Sequence, residues 1–259
     1  MVLRSYLYSV LFFLVSAVMA ILLLPALLFG RDAALAVAKL WTRTLMALHR
    51  AVTGIGHEFR NFDQIPQGAI LAVKHQSTWE TLALVPQLAT PAFILKRELM
   101  WIPVFGWWLK AAGNIPIDRG NGAATLIAMN KRAAEALKDG RQIIIFPEGT
   151  RRPAGAPPDY KSGLGLIYKA LNAPIVPIAL NSGTAWPRKT RVQRAGTIVA
   201  EALEIIPPGL PPRQALKLVQ ERIETACDRL LLEADARGDD LPDSAKARVA
   251  VLRASEPAA

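Results

Sequence analysis

The chain has 259 residues, with 31 Lys+Arg against 21 Asp+Glu for a net charge of +10, and 52% of its residues are hydrophobic. Mean hydropathy is +0.24, too apolar for a disordered chain, and a single cysteine, Cys227, cannot frame a disulfide-stabilised module. A greasy but basic chain of this size suits one globular domain with appendages, working against nucleic acid or phospholipid headgroups.

From position 5 to position 30 there is no charged residue, a run of 26 bounded by Arg4 and Arg31. A bilayer core needs roughly 20 apolar helical residues, so the run is long enough to span one. It stays apolar past residues 18–20, where a cleaved signal peptide would turn polar, so an uncleaved anchor is expected. A buried core helix is the competing reading. Pro25 and Gly30 also keep a shallow hairpin in one leaflet open beside a spanning helix. Residues 33–50 follow as an amphipathic helix with Lys39, Arg43 and Arg50 toward the headgroups. The flank after the anchor is more basic than the flank before it, which places the rest of the chain on the cytoplasmic side of the inner membrane.

Beyond residue 55, short apolar runs alternate with helical patterns. Strands are predicted at 69–73, 92–95, 115–117, 142–146, 175–180 and 196–202. Helices are predicted at 78–88, 98–112, 122–138, 163–171 and 212–235. This alternation predicts an α/β fold, a mixed, mostly parallel sheet flanked by helices, behind an N-terminal membrane-anchoring helix pair. The chain divides into an anchor with its interfacial helix at 1–50, a domain at 51–237, and a polar, Ala-rich tail at 238–259. The tail has no evident core face, and disorder is expected there.

Chemistry concentrates after three of the strands. Lys74-His75-Gln76-Ser77-Thr78-Trp79-Glu80 puts His75 at the carboxyl edge of the sheet, where open α/β folds gather ligands. Five helical steps would leave His75 and Glu80 roughly 140° apart, so they meet only if His75 lies in the loop and Glu80 in the first turn. A carboxylate there would fix the imidazole tautomer and free the other nitrogen to accept a proton. Ser77-x-x-Glu80 also reads as a capping box, which does no chemistry. Phe146-Pro147-Glu148-Gly149-Thr150-Arg151 offers turn N–H groups and the planar fork of Arg151 to a phosphate, although Pro-x-Gly alone is merely a turn. Gly113-Asn114-Ile115-Pro116-Ile117-Asp118-Arg119 again ends a strand in a basic residue, with a local Asp118–Arg119 ion pair as the plainer reading.

The order and spacing of these blocks, closed by the strand Ile175-Val176-Pro177-Ile178-Ala179, resemble the four-block pattern of the glycerolipid acyltransferases. More narrowly, they resemble the lysophosphatidate-acylating branch, the 1-acyl-sn-glycerol-3-phosphate acyltransferases. The resemblance covers about residues 55–205. One departure is that the first block usually ends in Asp, where this chain has Glu80.

The resemblance implies that His75 is the general base that takes the proton from the 2-hydroxyl of lysophosphatidate, with Glu80 orienting it. That oxygen would attack the thioester of acyl-CoA or acyl carrier protein and give phosphatidate. Glu148, Gly149, Thr150 and Arg151 match the family's glycerophosphate-binding block. Arg119 would be a second phosphate contact, and Lys96, beside Arg97, a further one. No metal and no bound cofactor is implied. His49, His57 and His75 are scattered along the chain, and there is no Gly-x-Ser-x-Gly elbow for a serine acyl-enzyme.

Residues 98–108 hold Trp101, Phe105, Trp107 and Trp108, which suit either the headgroup boundary or a packed core. Arg188, Lys189, Arg191 and Arg194 form an acid-free run, a solvated loop or a headgroup-docking strip. A non-catalytic, membrane-tethered lipid-binding protein would need the anchor but not His75. A nucleic-acid partner is not expected, because it leaves the apolar run unexplained and no recognition motif is present. The nearest enzymatic rival acylates another lysolipid, such as lyso-ornithine lipid.

Overall fold

Runs such as Ile143-Ile144-Ile145 and Ile70-Leu71-Ala72-Val73 are apolar at every position, which suits strands covered on both faces. In the computed structural model, which describes residues 1–118 and 122–255 (side chains of 122–126 excepted), such runs lie at the centre of a sheet. Within these residues the strands are β1 (Gly56–Arg60), β2 (Ile70–Val73), β3 (Pro91–Lys96), β4 (Ile115–Ile117), β5 (Gln142–Ile145), β6 (Ile175–Leu180) and β7 (Thr197–Ala202). They assemble in the order β1-β7-β6-β2-β5-β3-β4. Every neighbouring pair is parallel except β6–β7, which is antiparallel. The sheet is therefore mixed and mostly parallel, as expected. Strands β6, β2, β5, β3 and β4 all end at one edge, so the segments after Val73, Lys96, Ile117, Ile145 and Leu180 converge there.

Period-2 alternation sends Ile70, Ala72, Ile143 and Ile145 to one face of the sheet and Leu71, Val73 and Ile144 to the other. The first face packs on α5 (Gly122–Lys138), α6 (Gly163–Leu171) and α8 (Pro212–Ala236), through Met129, Ile167, Val219 and Ile223. The second packs on α2 (Gly30–Thr53) and α3 (Trp79–Ala83), through Leu45, Met46, Trp79 and Leu82. Two predicted helices come out shorter than expected, each cut at a proline. Residues 78–88 give α3 and then a 3₁₀ turn, Val85–Gln87, which contains Pro86. Residues 98–112 give a 3₁₀ turn, Arg97–Trp101, a break at Pro103, and α4 (Phe105–Ala111). A Cβ on Gly106 would sit 2.2 Å from the Met100 carbonyl oxygen, so only glycine allows this fold-back.

The N-terminal run forms α1 (Val2–Leu22) and turns through a 3₁₀ segment, Leu24–Phe29, into α2. Tyr8 Oη donates to the Leu45 carbonyl and Trp41 Nε1–H donates to Ser16 Oγ, contacts that make α1 and α2 an antiparallel hairpin. Its open end is docked on the domain, where Gln193 N–H donates to Ser5 Oγ at 2.9 Å and Tyr8 packs edge-on against Trp186 and His49. By length and composition α1 could cross a membrane. Most of its apolar surface, including Val10, Phe13, Leu14 and Ile21, is exposed.

The expected disorder of the tail is corrected for residues 243–254. They form α9 (Asp243–Ala254), and Leu241, Ala245 and Val249 bury themselves against Ala154, Leu231 and Ala234. The bidentate bond of Arg248 to Asp228 fastens α9 to α8. Small residues make up much of this face, so its amphipathic character is faint in the sequence.

Candidate active site at the carboxyl edge of the sheet

Strand β2 ends at Val73, and the loop that follows carries His75 to the edge before α3 begins. His75 Nδ1 lies 2.8 Å from Glu80 Oε1, so Nδ1–H donates to the carboxylate and Nε2 is left as the basic nitrogen. Among the described residues Nε2 makes no hydrogen bond. Phe146 stacks on the imidazole, with ring centroids 3.9 Å apart, and holds its plane. The carboxylate of Glu80 is fully buried and saturated. Its Oε1 also accepts the N–H groups of Gln76 and Ser77, each at 2.7 Å, and Oε2 accepts the Ser182 hydroxyl at 2.7 Å. One side chain therefore makes both the contact to the imidazole and the capping contact to the Ser77 N–H. The box is only half formed, because Ser77 Oγ accepts from Trp79 N–H and not from Glu80 N–H.

The loop after β5 closes over the same edge. Arg152 N–H donates to the His75 carbonyl at 2.8 Å, and Arg151 Nη1 donates to Thr78 Oγ1 at 2.8 Å. Arg151 therefore stands beside Thr78 at the start of α3, while Thr150 is exposed. Gly149, with φ of +65°, turns its N–H to the Phe146 carbonyl at 2.9 Å and shapes the turn.

Glu148 departs from expectation. Its carboxylate points away from solvent and accepts from Lys74 Nζ at 3.1 Å, with side chains 2% and 1% exposed for Lys74 and Glu148. A buried anion paired this way is not a phosphate contact, so that role is withdrawn from Glu148. Lys96 is exposed at the end of β3 on the same edge. Arg119 lies outside the described residues, and its neighbour Asp118 is 3.7 Å from Arg97 Nη1.

Sequence reasoning missed Ser182, Gln76 and Lys74. Ser182 reaches Glu80 from the short helix α7 (Ser182–Ala185) after β6, and Gln76 Oε1 accepts Gly183 N–H at 2.9 Å. No local pattern marks them, since their partners arrive through the sheet order. The acid-free run 188–194 is also partly engaged. Arg194 pairs with Asp240 at 2.9 Å, and Arg188 Nη1 donates to the Arg151 carbonyl at 2.6 Å.

Two of the three histidines come together away from this edge, although they are far from any motif. His49 Nδ1 is 2.8 Å from His57 Nε2, and His49 Nε2 is 3.0 Å from Gln193 Oε1. Burial and then the His57 ring lower the His49 pKa to about 3; burial and then Arg50 lower that of His57 to about 4. Both rings stay neutral in the fold, while the unfolded chain takes up protons near the ordinary value of about 6.5. Their contribution to stability is complete above that value and is lost as pH falls toward the folded values, on the order of 1 kcal/mol per histidine per pH unit. Thermal melts should therefore fall between pH 7 and pH 5, and His57→Gln should flatten that fall.

Residues 56–181 match the family model described as Acyltransferase. The chain is 38% identical over 163 residues to a 1-acyl-sn-glycerol-3-phosphate acyltransferase of Pseudomonas aeruginosa, a match covering 62% of this chain and 63% of that protein. It is 37% identical over 103 residues to a lyso-ornithine lipid O-acyltransferase of the same organism, covering 40% and 39% of the two chains. The fold is shared with the crystal structure of the 1-acyl-sn-glycerophosphate acyltransferase PlsC from Thermotoga maritima, at a TM-score of 0.73 and 22% identity, over 88% of this chain and 96% of that one. With its ordered motifs brought to one sheet edge, the chain carries over residues 56–181 a domain that matches the Acyltransferase family model, and over 62% of its length it is similar to a 1-acyl-sn-glycerol-3-phosphate acyltransferase.

Proposed function

We propose that the protein moves an acyl chain from acyl-CoA or acyl carrier protein to the 2-hydroxyl of lysophosphatidate, giving phosphatidate and the free thiol. The observation that carries this reading is a Glu80-oriented imidazole whose Nε2 makes no hydrogen bond among the described residues, on a loop that two hydrogen bonds, to the His75 carbonyl and to Thr78 Oγ1, tie to the turn that presents Arg151. His75 Nε2 takes the hydroxyl proton as the oxygen attacks the thioester carbonyl, and the proton then goes to the departing thiolate. General-base help of this kind is worth about 10²–10⁴ in rate. Arg151 and Thr150 hold the acceptor phosphate, Gly149 shapes their turn, Lys96 adds a contact from the end of β3, and Arg119, which follows β4 in the sequence, is a further phosphate contact. The reaction needs no metal and no cofactor beyond the acyl donor.

A second acceptor has a specific observation in its favour, the identity to a lyso-ornithine lipid O-acyltransferase over 103 residues. An acyl-transfer assay on purified membranes decides between them, comparing lysophosphatidate, glycerol 3-phosphate and lyso-ornithine lipid with both donor types. Preference for lyso-ornithine lipid would displace the phosphate reading of Arg151.

The hairpin lies in the cytoplasmic leaflet of the inner membrane and does not cross it. In support, the start of α1 and the end of α2 both meet the domain at Gln193, through Ser5 and His49, while α1 exposes Val10, Phe13 and Leu14. Trp108 Nε1–H donates to the Ala20 carbonyl at 3.1 Å and so brings α4 against the end of α1, with Trp101 (70% exposed) and Trp107 (53%) nearby in sequence. Tryptophan prefers the headgroup boundary. Replacing Val10, Phe13 and Leu14 together by Ser should shift much of the protein from the membrane pellet to the supernatant. The fraction still bound should be released by high salt, because what remains is electrostatic attraction of the basic chain. Unchanged sedimentation would place the membrane contact elsewhere.

A further inference from the structure

Beside His75 lies a buried charge cluster that the proposed proton transfer does not use. Lys74 N–H closes the ladder of β2 with β6 by donating to the Ile178 carbonyl at 3.0 Å. Alternation then sends the Lys74 side chain to the face covered by α8, and there its ammonium meets two carboxylates. Nζ donates to Glu148 Oε1 at 3.1 Å and to Glu224 Oε1 at 2.7 Å, and sits 5.6 Å from the centre of the Tyr160 ring. Tyr160 Oη donates to the same Glu224 oxygen at 2.8 Å. Burial alone would lower the Lys74 pKa, but Glu224 first, with Cys227 and Glu148, raises it above the ordinary value, so the charge persists.

Glu148 has few other attachments. Its Oε2 is buried without a hydrogen-bond partner among the described residues, and Oε1 receives only a long 3.4 Å bond from Asp159 N–H besides that of Lys74. Burying a carboxylate is tolerable only while its cation stays in place. The turn at 147–151 therefore cannot shift relative to residue 74 without exposing or orphaning that charge. Residue 74 precedes the proposed base, and the turn carries Arg151, the proposed hydrogen-bond donor to the acceptor's phosphate. α8 supplies the fixed end through Glu224.

We infer that Lys74 is a positioning residue, which sets Arg151 at its working distance from His75 by pinning Glu148 to α8. The kinetic half of this inference rests on the acyl-transfer reading; the structural half does not.

The test uses full-length wild type, Lys74→Met, Glu148→Gln and the double variant, in membranes for kinetics and in detergent for amide hydrogen exchange. The KM for lysophosphatidate should rise at least about tenfold in each single variant, with the acyl-donor KM unchanged within about twofold. The double variant should be no worse than the worse single one, because both act through one bond. Exchange at the amides of Gly149 and Arg152 should quicken at least about tenfold in Lys74→Met, while Ile143 and Ile144 in β5 keep their wild-type rates. Additive losses would mean that Glu148 meets the acceptor directly, and would overturn the inference. So would wild-type exchange at Gly149 and Arg152, or a uniform acceleration across the core with only a lower Tm. If Lys74→Met does not accumulate, Glu148→Gln, which keeps the side-chain shape, carries both measurements. A wild type with no transfer to lysophosphatidate would sink the acceptor assignment, and the exchange data would still decide the pin.

Discussion

Glu80→Gln should fold and associate with membranes normally yet lose at least about tenfold in kcat, roughly 1.4 kcal/mol of transition-state stabilisation. The geometry makes this substitution a clean removal of charge. A Gln Oε1 can keep the N–H bonds from Gln76 and Ser77 and the bond from His75 Nδ1, and the new amide can donate to Ser182 Oγ, whose hydroxyl rotates to accept. The capping function survives, at a cost of a few tenths of a kcal/mol. What disappears is the negative charge beside the imidazolium that forms as His75 takes the proton. Glu80→Asp restores that charge and the acid usual in related proteins, so it should be more active than Glu80→Gln. His75→Ala should be nearly inactive, with a lower Tm from the lost Nδ1 bond to buried Glu80 and the lost stack on Phe146. The measurement is kcat with both substrates saturating, beside thermal melts in detergent. Full activity in Glu80→Gln would leave the capping role alone standing and remove the dyad.

That His75, Glu80 and Arg151 meet at one sheet edge is legible because they lie in two short segments, each directly after an apolar run that reads as a buried strand. Long-range partners were not readable in this way. Ser182 lies 102 positions from Glu80, Glu224 lies 150 from Lys74, and Gln193 lies 144 from His49. They meet because β6 lies beside β2, α8 covers one face of the sheet, and the loop before β7 reaches the hairpin, none of which a local pattern encodes. Glu148 was misassigned for the same reason. Its place in a phosphate-matching block was visible, but the cation that buries it comes from the end of another strand. Among the elements, β1 escaped notice because Gly56-His57-Glu58-Phe59-Arg60 is too polar to stand out; its register comes from pairing along β7. The helix cuts at Pro86 and Pro103 were legible in principle, since proline removes a donor and blocks the turn before it.

Arg151→Ala should raise the KM for lysophosphatidate by at least about a hundredfold while leaving the acyl-donor KM near wild type. Charge-assisted hydrogen bonds are worth about 1.5–3 kcal/mol each, and a guanidinium can offer a phosphate two. In the resting structure Arg151 spends Nη1 on Thr78 Oγ1 at 2.8 Å, a bond that aims the fork and leaves its other N–H groups for a ligand. Arg188 steadies the backbone beneath it by donating to the Arg151 carbonyl at 2.6 Å. Arg151→Lys keeps the positive charge but cannot hold Thr78 and grip a phosphate in parallel, so its KM should rise about tenfold, between wild type and Ala. Thr78→Val removes only the aiming bond and should cost less than either. Steady-state kinetics with each substrate varied at saturating partner separates these outcomes. A merely structural Arg151 would give the opposite signature, a lower Tm in Arg151→Ala with both KM values unchanged, and the phosphate would then have to be held by other groups on this edge.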